Sequence, residues 1–315
     1  MENTANARKI VHGLRSFFGK FKHVELLLEE MSELFALGEQ AYEAPHLVVL
    51  GEPGMGKSRL VTYFCARHPR VEHEEVTEVP VLRVDVPSNC SPKMLAGEML
   101  RELGSPYWNV GDLAERTFQL KTLLKACRVR LVVLDEMNHL ADRGAAKTHY
   151  AAADWLKLLT DQSRLPFVLT GIPTVRALLE INDQLRDRFR NVKTLDPLSV
   201  EDDTQLKRTQ TVLNAYKKLL GDLPHADFTD GAMARQIIFA TAGRLRPLRN
   251  LLVRGVEISA SAKPSALKEE QLRQAFEQAI WPNCPNNRNP FSNKFDGFPL
   301  IRAGEPYAAS VRGES

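Results

Sequence analysis

Residues 51–58, GEPGMGKS, place three glycines beside a lysine and a serine. They match the pattern G-x-x-x-x-G-K-[ST], with an apolar run before them and a helix-compatible segment after them. Glycines allow backbone N–H groups to turn toward phosphate oxygens, and the following helix adds the positive end of its dipole. The motif predicts a phosphate-binding loop formed by Gly51, Glu52, Pro53, Gly54, Met55, Gly56, Lys57, Ser58 and Arg59.

Within this loop we expect Lys57 to reach the β- and γ-phosphates of a nucleotide and Ser58 to ligate Mg²⁺. Such a site also needs an acidic residue at the end of another buried strand, and the run VRLVVLDE supplies Asp135 and Glu136. We predict that Asp135 holds the Mg²⁺ shell and that Glu136 polarises the attacking water. The pair favours hydrolysis over transfer to a small molecule.

Two polar residues follow the acidic pair, in the string DEMNHL. We interpret Asn138 and His139 as packing or loop-orienting residues rather than as metal ligands or acid–base groups. The other histidines show no ligand spacing.

The elements that must position these residues are short apolar strands, in the runs HLVVL, VPVLRVDV, VRLVVLD and LPFVLTG. They lack clean alternation, which is typical of strands buried on both faces of a parallel sheet. Helices are predicted between them over Lys57–His68, Pro92–Leu103, Asp112–Cys127 and Ala145–Asp161. The alternation of strands and helices predicts an α/β fold with right-handed crossovers.

The sequence suggests four regions. Residues 1–40 form an N-terminal helical segment, with a helix over 24–38, and residues 41–195 form the α/β domain. Four helical patterns over 196–280 predict a small all-helical lid. Residues 281–315, dense in Pro, Asn and Gly, are predicted to be an extended tail. Its aromatic residues either anchor a partner or pack back onto the lid.

The composition excludes several classes of protein. A formal net charge of +3 over 315 residues is too small for a polycation, so any nucleic-acid contact must use a local basic face. No apolar run approaches the roughly 20 residues that span a bilayer, and the N-terminus lacks a signal-peptide core. The four cysteines are widely spaced and indicate reduced thiols. We expect a cytoplasmic protein without membrane contact.

The phosphate loop, LVVLDE, a strand ending in a polar residue, and later arginine-rich segments together resemble AAA+ ATPases. The resemblance implies that Thr170 in FVLTGIP senses the γ-phosphate; the alternative is a cap on the following turn. It also implies that an arginine of INDQLRDRFRNV enters the neighbouring subunit's nucleotide site. Arg188 fits best, Arg186 is second and Arg190 third, and a solvated charge run is the alternative.

The predicted lid contains AGRLRPLRNLL, which resembles the start of the AAA+ sensor-2 helix. The resemblance implies that Arg246, with Arg249 as the alternative, contacts the nucleotide. An arginine on an exposed helix face is the other interpretation.

Within the AAA+ class, residues 20–280 resemble the TniB/TnsC-type transposition regulators, which are related to the MuB and IstB ATPases. GEPGMGKS, VVLDEMNHL, FVLTGIP, RFR and GRLRPLRNLL carry this resemblance. It implies an ATP- and Mg²⁺-dependent regulator that oligomerises on target duplex DNA as a ring or filament. Such a protein receives a TniQ-type targeting adaptor, recruits a DDE transposase, and disassembles on ATP hydrolysis.

Support for DNA binding from the residues themselves is modest. Arg116 and Lys121 follow two aromatic residues in GSPYWNVGDLAERTFQLKTLLK, and Arg143 and Lys147 lie in ADRGAAKTHY. A core tryptophan with ordinary solvated charges is the alternative for the first segment. No base-reading module is recognisable, so we expect contacts to the DNA backbone with little sequence preference.

Three other functions remain open. A replication initiator or helicase loader of the AAA+ class would ordinarily add a winged-helix module, for which the tail is too short. A nucleotide-holding scaffold with little turnover is disfavoured by the acidic pair. A STAND-type signalling ATPase would need long repeat domains.

Overall fold

The computed structural model describes residues 2–38, 44–141, 146–262 and 264–308, and the chain forms two compact units. One unit comprises Lys22–Leu195, and the other combines Met1–Phe21 with Asp196–Ser315. The predicted N-terminal segment, residues 1–40, is therefore divided between the two units.

A five-stranded parallel sheet forms the centre of the Lys22–Leu195 unit. Its strands are β1 (Leu47–Gly51), β4 (Val81–Asp85), β5 (Leu131–Asp135), β6 (Phe167–Gly171) and β7 (Val192–Leu195). They are ordered β4-β5-β6-β1-β7, and a separate antiparallel hairpin pairs β2 (Val71–Glu72) with β3 (Thr77–Glu78). Every residue of β1, β5 and β6 is buried, which explains their unalternated sequences. The predicted α/β fold is confirmed.

Strand β7 was not predicted. Only its last residue, Leu195, is buried, and Lys193 and Thr194 are exposed. An edge strand of four residues with two polar members carries too short a pattern to be recognised.

Helices cover this sheet, and those predicted between the strands are confirmed to within a few residues at each end. They are α2 (Lys22–Leu37), α3 (Lys57–Cys65), α4 (Pro92–Glu102), α5 (Leu113–Ala126), α6 (Asn138–Ala141), α7 (Ala146–Ser163), α8 (Val175–Glu180) and α9 (Asp183–Arg188). Helix α3 packs against β1, β5 and β6, so the element that follows the glycine turn meets the strand that carries the acidic pair.

The second unit is helical. It contains α1 (Glu2–Ser16), α10 (Asp203–Lys218), α11 (Gly231–Thr241), α12 (Leu245–Ser261) and α13 (Glu269–Ala279). Helix α1 packs along α12 and buries Leu14 in a core that includes Phe228 and Phe276. Helix α1 lies within the predicted N-terminal helical segment, but its bounds were not predicted because its sequence is largely polar and carries few apolar residues to set a period.

Residues 281–308 pack back onto the helical unit, which is one of the two alternatives left open for the predicted extended tail. Phe291 and Leu300 are buried in the core of the second unit. The guanidinium of Arg288 donates to both carboxylate oxygens of Glu305, each at 2.7 Å, and to Asp296 at 2.5 Å. A buried, bidentate ion pair of this kind fixes the turns of a segment that has no regular secondary structure.

Within the described part of the chain, no helix combines the length and the apolar composition needed to cross a membrane. Cys65, Cys90, Cys127 and Cys284 are free thiols. Burial raises the pKa of Cys65 and of Cys284 to about 11, so both thiols stay protonated at neutral pH.

Candidate nucleotide-binding site

The glycine turn between β1 and α3 depends on glycine at three positions. Gly54 and Gly56 have φ values of 87° and 97°, in the left-handed region that favours glycine. Gly51 is packed so closely that an added Cβ would lie 3.0 Å from the carbonyl oxygen of Leu195. The turn closes with the N–H of Met55 donating to the carbonyl of Glu52 at 3.2 Å.

The lysine of the motif is the first residue of α3 and is only 4% exposed. Its Nζ donates to the carbonyl oxygens of Gly51, at 2.8 Å, and Glu52, at 3.3 Å. Lys57 is therefore held beside the first residues of the glycine turn, where the loop amides and the start of α3 favour anions. Ser58 and Arg59 follow in the first turn, both partly exposed.

The buried carboxylate of Asp135 lies at the end of β5, beside the end of β6. It is 1% exposed, and its Oδ1 accepts hydrogen bonds from the hydroxyl of Thr170 and, at 3.0 Å, from the N–H of Glu136. Its Oδ2 accepts from Nη2 of Arg83 at 3.3 Å. Thr170 thus holds the acidic residue directly, a contact that the sequence did not indicate.

Glu136 adopts a φ of 59°, which is uncommon for a residue other than glycine, asparagine or aspartate. Such a backbone costs on the order of 1–3 kcal/mol and concentrates at functional sites. The next turn is tied down by His139, whose Nδ1 lies 2.8 Å from the carbonyl oxygen of Val86. His139 is therefore a loop-orienting residue, as predicted, and Asn138 is buried beside Gly171.

The donor set of this site fits Mg²⁺. Asp135 offers carboxylate oxygen, and Ser58 offers a hydroxyl at the start of the helix that packs against β5. Hard oxygen donors of this kind are the ligands that Mg²⁺ prefers.

Helix α9 and the two residues after it contain the three arginines of the predicted trans-acting segment. Phe189, which is 2% exposed, anchors this segment. The ring of Phe189 stacks on His46 with centroids 4.6 Å apart. Burial, with a smaller contribution from the nearby charge of Arg188, lowers the pKa of His46 to about 4. His46 is therefore neutral, and its Nδ1 accepts from the N–H of Phe167 at 3.1 Å.

The three arginines differ in their ion pairs. Arg188 pairs with Asp161 of α7. Arg186 and Arg190 pair at 3.0 Å with Asp183 and Asp187, three residues earlier in sequence. The side chain of Arg188 is 32% exposed, against 55% for Arg186 and 74% for Arg190. Arg188 is thus the arginine of this group that packs against another helix.

Arg246 belongs to the second unit and is exposed in the first turn of α12; Arg249 is partly exposed one turn later. The turn before the helix requires Gly243, which has a φ of 66° and packs directly on the backbone of Leu198. The guanidinium of Arg244 lies over the ring of Tyr307, 5.3 Å from its centroid.

Arg116 was predicted to contact DNA, but its side chain is buried. It is 8% exposed, and its guanidinium donates to the carbonyl oxygens of Val110, Lys93 and Asn109. Arg116 therefore fastens the loop between α4 and α5, and its guanidinium is not available to a phosphate.

The other predicted DNA contacts stay predictions. Lys121 is exposed on α5, close to Phe118, which is 75% exposed. Arg143 lies outside the described residues, and Lys147 is in the first turn of α7 with a side chain that also lies outside them. Tyr107 and Trp108 are exposed by 64% and 36%, so Trp108 is not a core residue.

Solved structures share this architecture. Cdc6p from Pyrobaculum aerophilum aligns with a TM-score of 0.62 and 17% identity, over 86% of this chain and 73% of its own. The Orc1 protein of Aeropyrum pernix, solved in complex with DNA, aligns with a TM-score of 0.58 and 16% identity, over 82% of this chain and 65% of its own. The ORC2 protein of the same organism, solved as ADPNP-ADP complexes, aligns with a TM-score of 0.55 and 15% identity, over 84% of this chain and 69% of its own.

This chain therefore spans less than two thirds of the Orc1 chain, and at these identities the likeness shows the fold alone. No curated protein matches the chain. The fold and the phosphate loop define an AAA+ P-loop protein, as the sequence predicts. The family described as bacterial TniB protein matches residues 10–196, more than half of the chain. The chain belongs to the TniB family.

Proposed function

We propose that this protein is an ATP-dependent, DNA-binding regulator of DNA transposition. It oligomerises on target duplex DNA, links a TniQ-type targeting adaptor to a DDE transposase, and hydrolyses ATP to disassemble. Membership in the TniB family supports the transposition role. The observation that carries the ATPase role is the pairing of a glycine-shaped phosphate loop with the buried Asp135 and the adjacent Glu136. We place its action in the cytoplasm.

Contacts within the Lys22–Leu195 unit support a role for each residue in this proposal. Lys57 and the loop amides would bind the β- and γ-phosphates of ATP, because the loop backbone is already curled around the lysine. Ser58 and Asp135 would hold Mg²⁺, which when bound neutralises phosphate charge. Glu136 would accept a proton from the attacking water.

Completion of the site requires a second copy of the chain. We propose that Arg188 enters the site of the adjacent subunit, where a positive charge stabilises the charge that develops on the γ-phosphate. Thr170 remains a proposed sensor of the γ-phosphate, and its hydroxyl also contacts Asp135. Arg246 remains a proposed nucleotide contact from the helical unit, with Arg249 as its alternative.

The decisive experiment measures ATP hydrolysis and DNA association by the purified protein. We expect hydrolysis to be stimulated by duplex DNA, and the Glu136→Gln variant to lose about 10²–10⁴-fold in turnover while it accumulates on DNA with ATP. Glu180→Gln, an exposed carboxylate at the end of α8, is the matched control and should behave as wild type. Equal DNA association with and without ATP would contradict the switch and favour a scaffold with little turnover.

For the DNA contact we propose the exposed stripe of α5 that contains Phe118, Lys121 and Lys125, together with Arg143 and Lys147. Phosphate contacts dominate non-specific affinity, so Lys121→Ala should weaken binding to all duplex sequences. The slope of log K against log salt concentration should fall in magnitude by about one. Lys218→Ala, a lysine at the end of α10, is the control. A sequence-dependent loss of affinity would contradict backbone recognition.

A further inference from the structure

Arg83 contacts both the helix that carries Ser58 and the strand that ends in Asp135. It lies in the middle of β4, which pairs with β5 so that Asp85 is opposite Asp135. Its Nη1 donates to Oγ1 of Thr62 at 2.6 Å, and its Nε donates to Oδ1 of Asp85 at 3.1 Å. Its Nη2 contacts Oδ2 of Asp135 at 3.3 Å.

The Thr62 hydroxyl in turn donates to the carbonyl of Ser58 at 2.7 Å. A continuous polar chain therefore runs from the backbone carbonyl of Ser58 through Thr62 and Arg83 to Asp135. Ser58 and Asp135 are the two predicted ligands of Mg²⁺, and Arg83 is positioned between the helix of one and the strand of the other.

The burial of the two charges indicates what Arg83 contributes. The side chain of Asp135 is 1% exposed, whereas that of Arg83 is 26% exposed. A buried carboxylate without a counter-charge is strongly destabilising. Thr170 and the Glu136 N–H both bind Oδ1, and among the described residues Arg83 is the cation that contacts Oδ2.

We propose that Arg83 is a positioning residue that serves as an internal counter-ion for Asp135 whenever Mg²⁺ does not neutralise this carboxylate. The site can then accept a nucleotide without its metal, because Asp135 does not repel the phosphates. The inference rests on the proposed ATP site. Arg83 and Mg²⁺ both place positive charge next to the Asp135 carboxylate, so removal of Arg83 matters most when Mg²⁺ is absent.

The test compares ATP affinity in Mg²⁺ and in EDTA for wild type and Arg83→Gln, by titration with a fluorescent ATP analogue. We expect the ratio of the two dissociation constants, EDTA over Mg²⁺, to rise roughly tenfold in the variant because the unpaired carboxylate repels metal-free phosphates. The control is Arg101→Gln, which removes an exposed arginine of α4 paired with Glu98 and should leave the ratio unchanged. An unchanged or smaller ratio in Arg83→Gln would overturn the proposal.

A second measurement does not depend on nucleotide. In EDTA without ATP, Arg83→Gln should lower the unfolding temperature by roughly 5 °C. The double variant Arg83→Gln/Asp135→Asn should recover most of this loss because no buried charge then lacks a partner. A double variant that is no more stable than Arg83→Gln, or that does not fold, contradicts the proposal. A wild-type protein that binds no ATP would overturn the proposed function instead, and this thermal measurement would still judge the Arg83–Asp135 pair.

Discussion

Two ion pairs in the Lys22–Leu195 unit join a proposed functional residue to a partner in the same chain, and they differ in burial. Asp135 is 1% exposed and its partner Arg83 is 26% exposed, whereas Arg188 and Asp161 are 32% and 33% exposed. Removal of the cation beside a buried carboxylate costs about 3–5 kcal/mol, whereas a pair with solvent contact on both partners contributes less, toward the about 0–1 kcal/mol of surface pairs. The chain thus buries its proposed metal ligand, whereas its proposed trans-acting arginine is held in a pair that keeps solvent contact on both partners.

This difference matches the roles that we propose. A metal ligand must keep its position through every cycle of nucleotide binding. An arginine that serves a neighbouring subunit must leave its own partner when the subunits assemble, and a weak pair permits this at small cost.

The largest expected effect comes from Arg188→Ala. Because Arg188 would act on the γ-phosphate of the adjacent subunit, we expect turnover in DNA-bound assemblies to fall about 10³-fold or more. ATP affinity should change by less than about threefold, since the residue is outside its own subunit's phosphate loop. Steady-state hydrolysis and equilibrium binding measure the two quantities.

Arg186→Ala and Arg190→Ala are the matched controls, because each removes an exposed pair with a residue three positions earlier. Both should keep turnover near wild type. A loss of ATP binding in Arg188→Ala, or an equal loss of turnover in Arg186→Ala, would show that the trans-acting arginine is misassigned.

The segment that carries Arg188 packs through Phe189 onto the buried His46, and the burial of this histidine predicts a pH effect. The pKa of His46 falls from 6.5 to about 4 on folding, so the folded state favours the neutral ring. The stability from neutral His46 is complete above pH 6.5 and is lost as the pH falls toward 4, by about 3 kcal/mol in total. Urea unfolding at pH 7 and pH 4 should show a smaller acid loss in His46→Asn than in wild type. Parallel pH profiles would contradict this contribution.

The motif residues of the candidate site and the contacts that support them differ in how well the sequence predicts them. The glycine turn between β1 and α3 was predictable because its backbone requires glycine at Gly51, Gly54 and Gly56, a restriction that is visible in the residue types. Asp135 was predicted for a similar reason, since a carboxylate directly after a buried apolar strand is conspicuous.

The contacts that support these residues were not predicted. Arg83 precedes Asp135 by 52 positions, and His46 precedes its partner Phe167 by 121, so no local pattern links them. Arg116 resembled a surface cation because its three carbonyl partners are defined only by the fold of the loop. Residue spacing specifies local geometry, whereas pairing across strands and helices depends on tertiary packing.

The smallest expected effect is that of Asp161→Asn, and it tests the partly exposed Arg188–Asp161 pair directly. Loss of the charge should change the free energy of unfolding by less than about 1 kcal/mol. Because Arg188 then leaves its partner more easily, assembly should reach half-maximal DNA-stimulated hydrolysis at a protein concentration up to about fivefold lower. Turnover at saturation should stay within about twofold of wild type. If turnover instead falls as far as in Arg188→Ala, Asp161 orients the arginine for catalysis, and the weak pair is part of the active assembly rather than a contact released on the way to it.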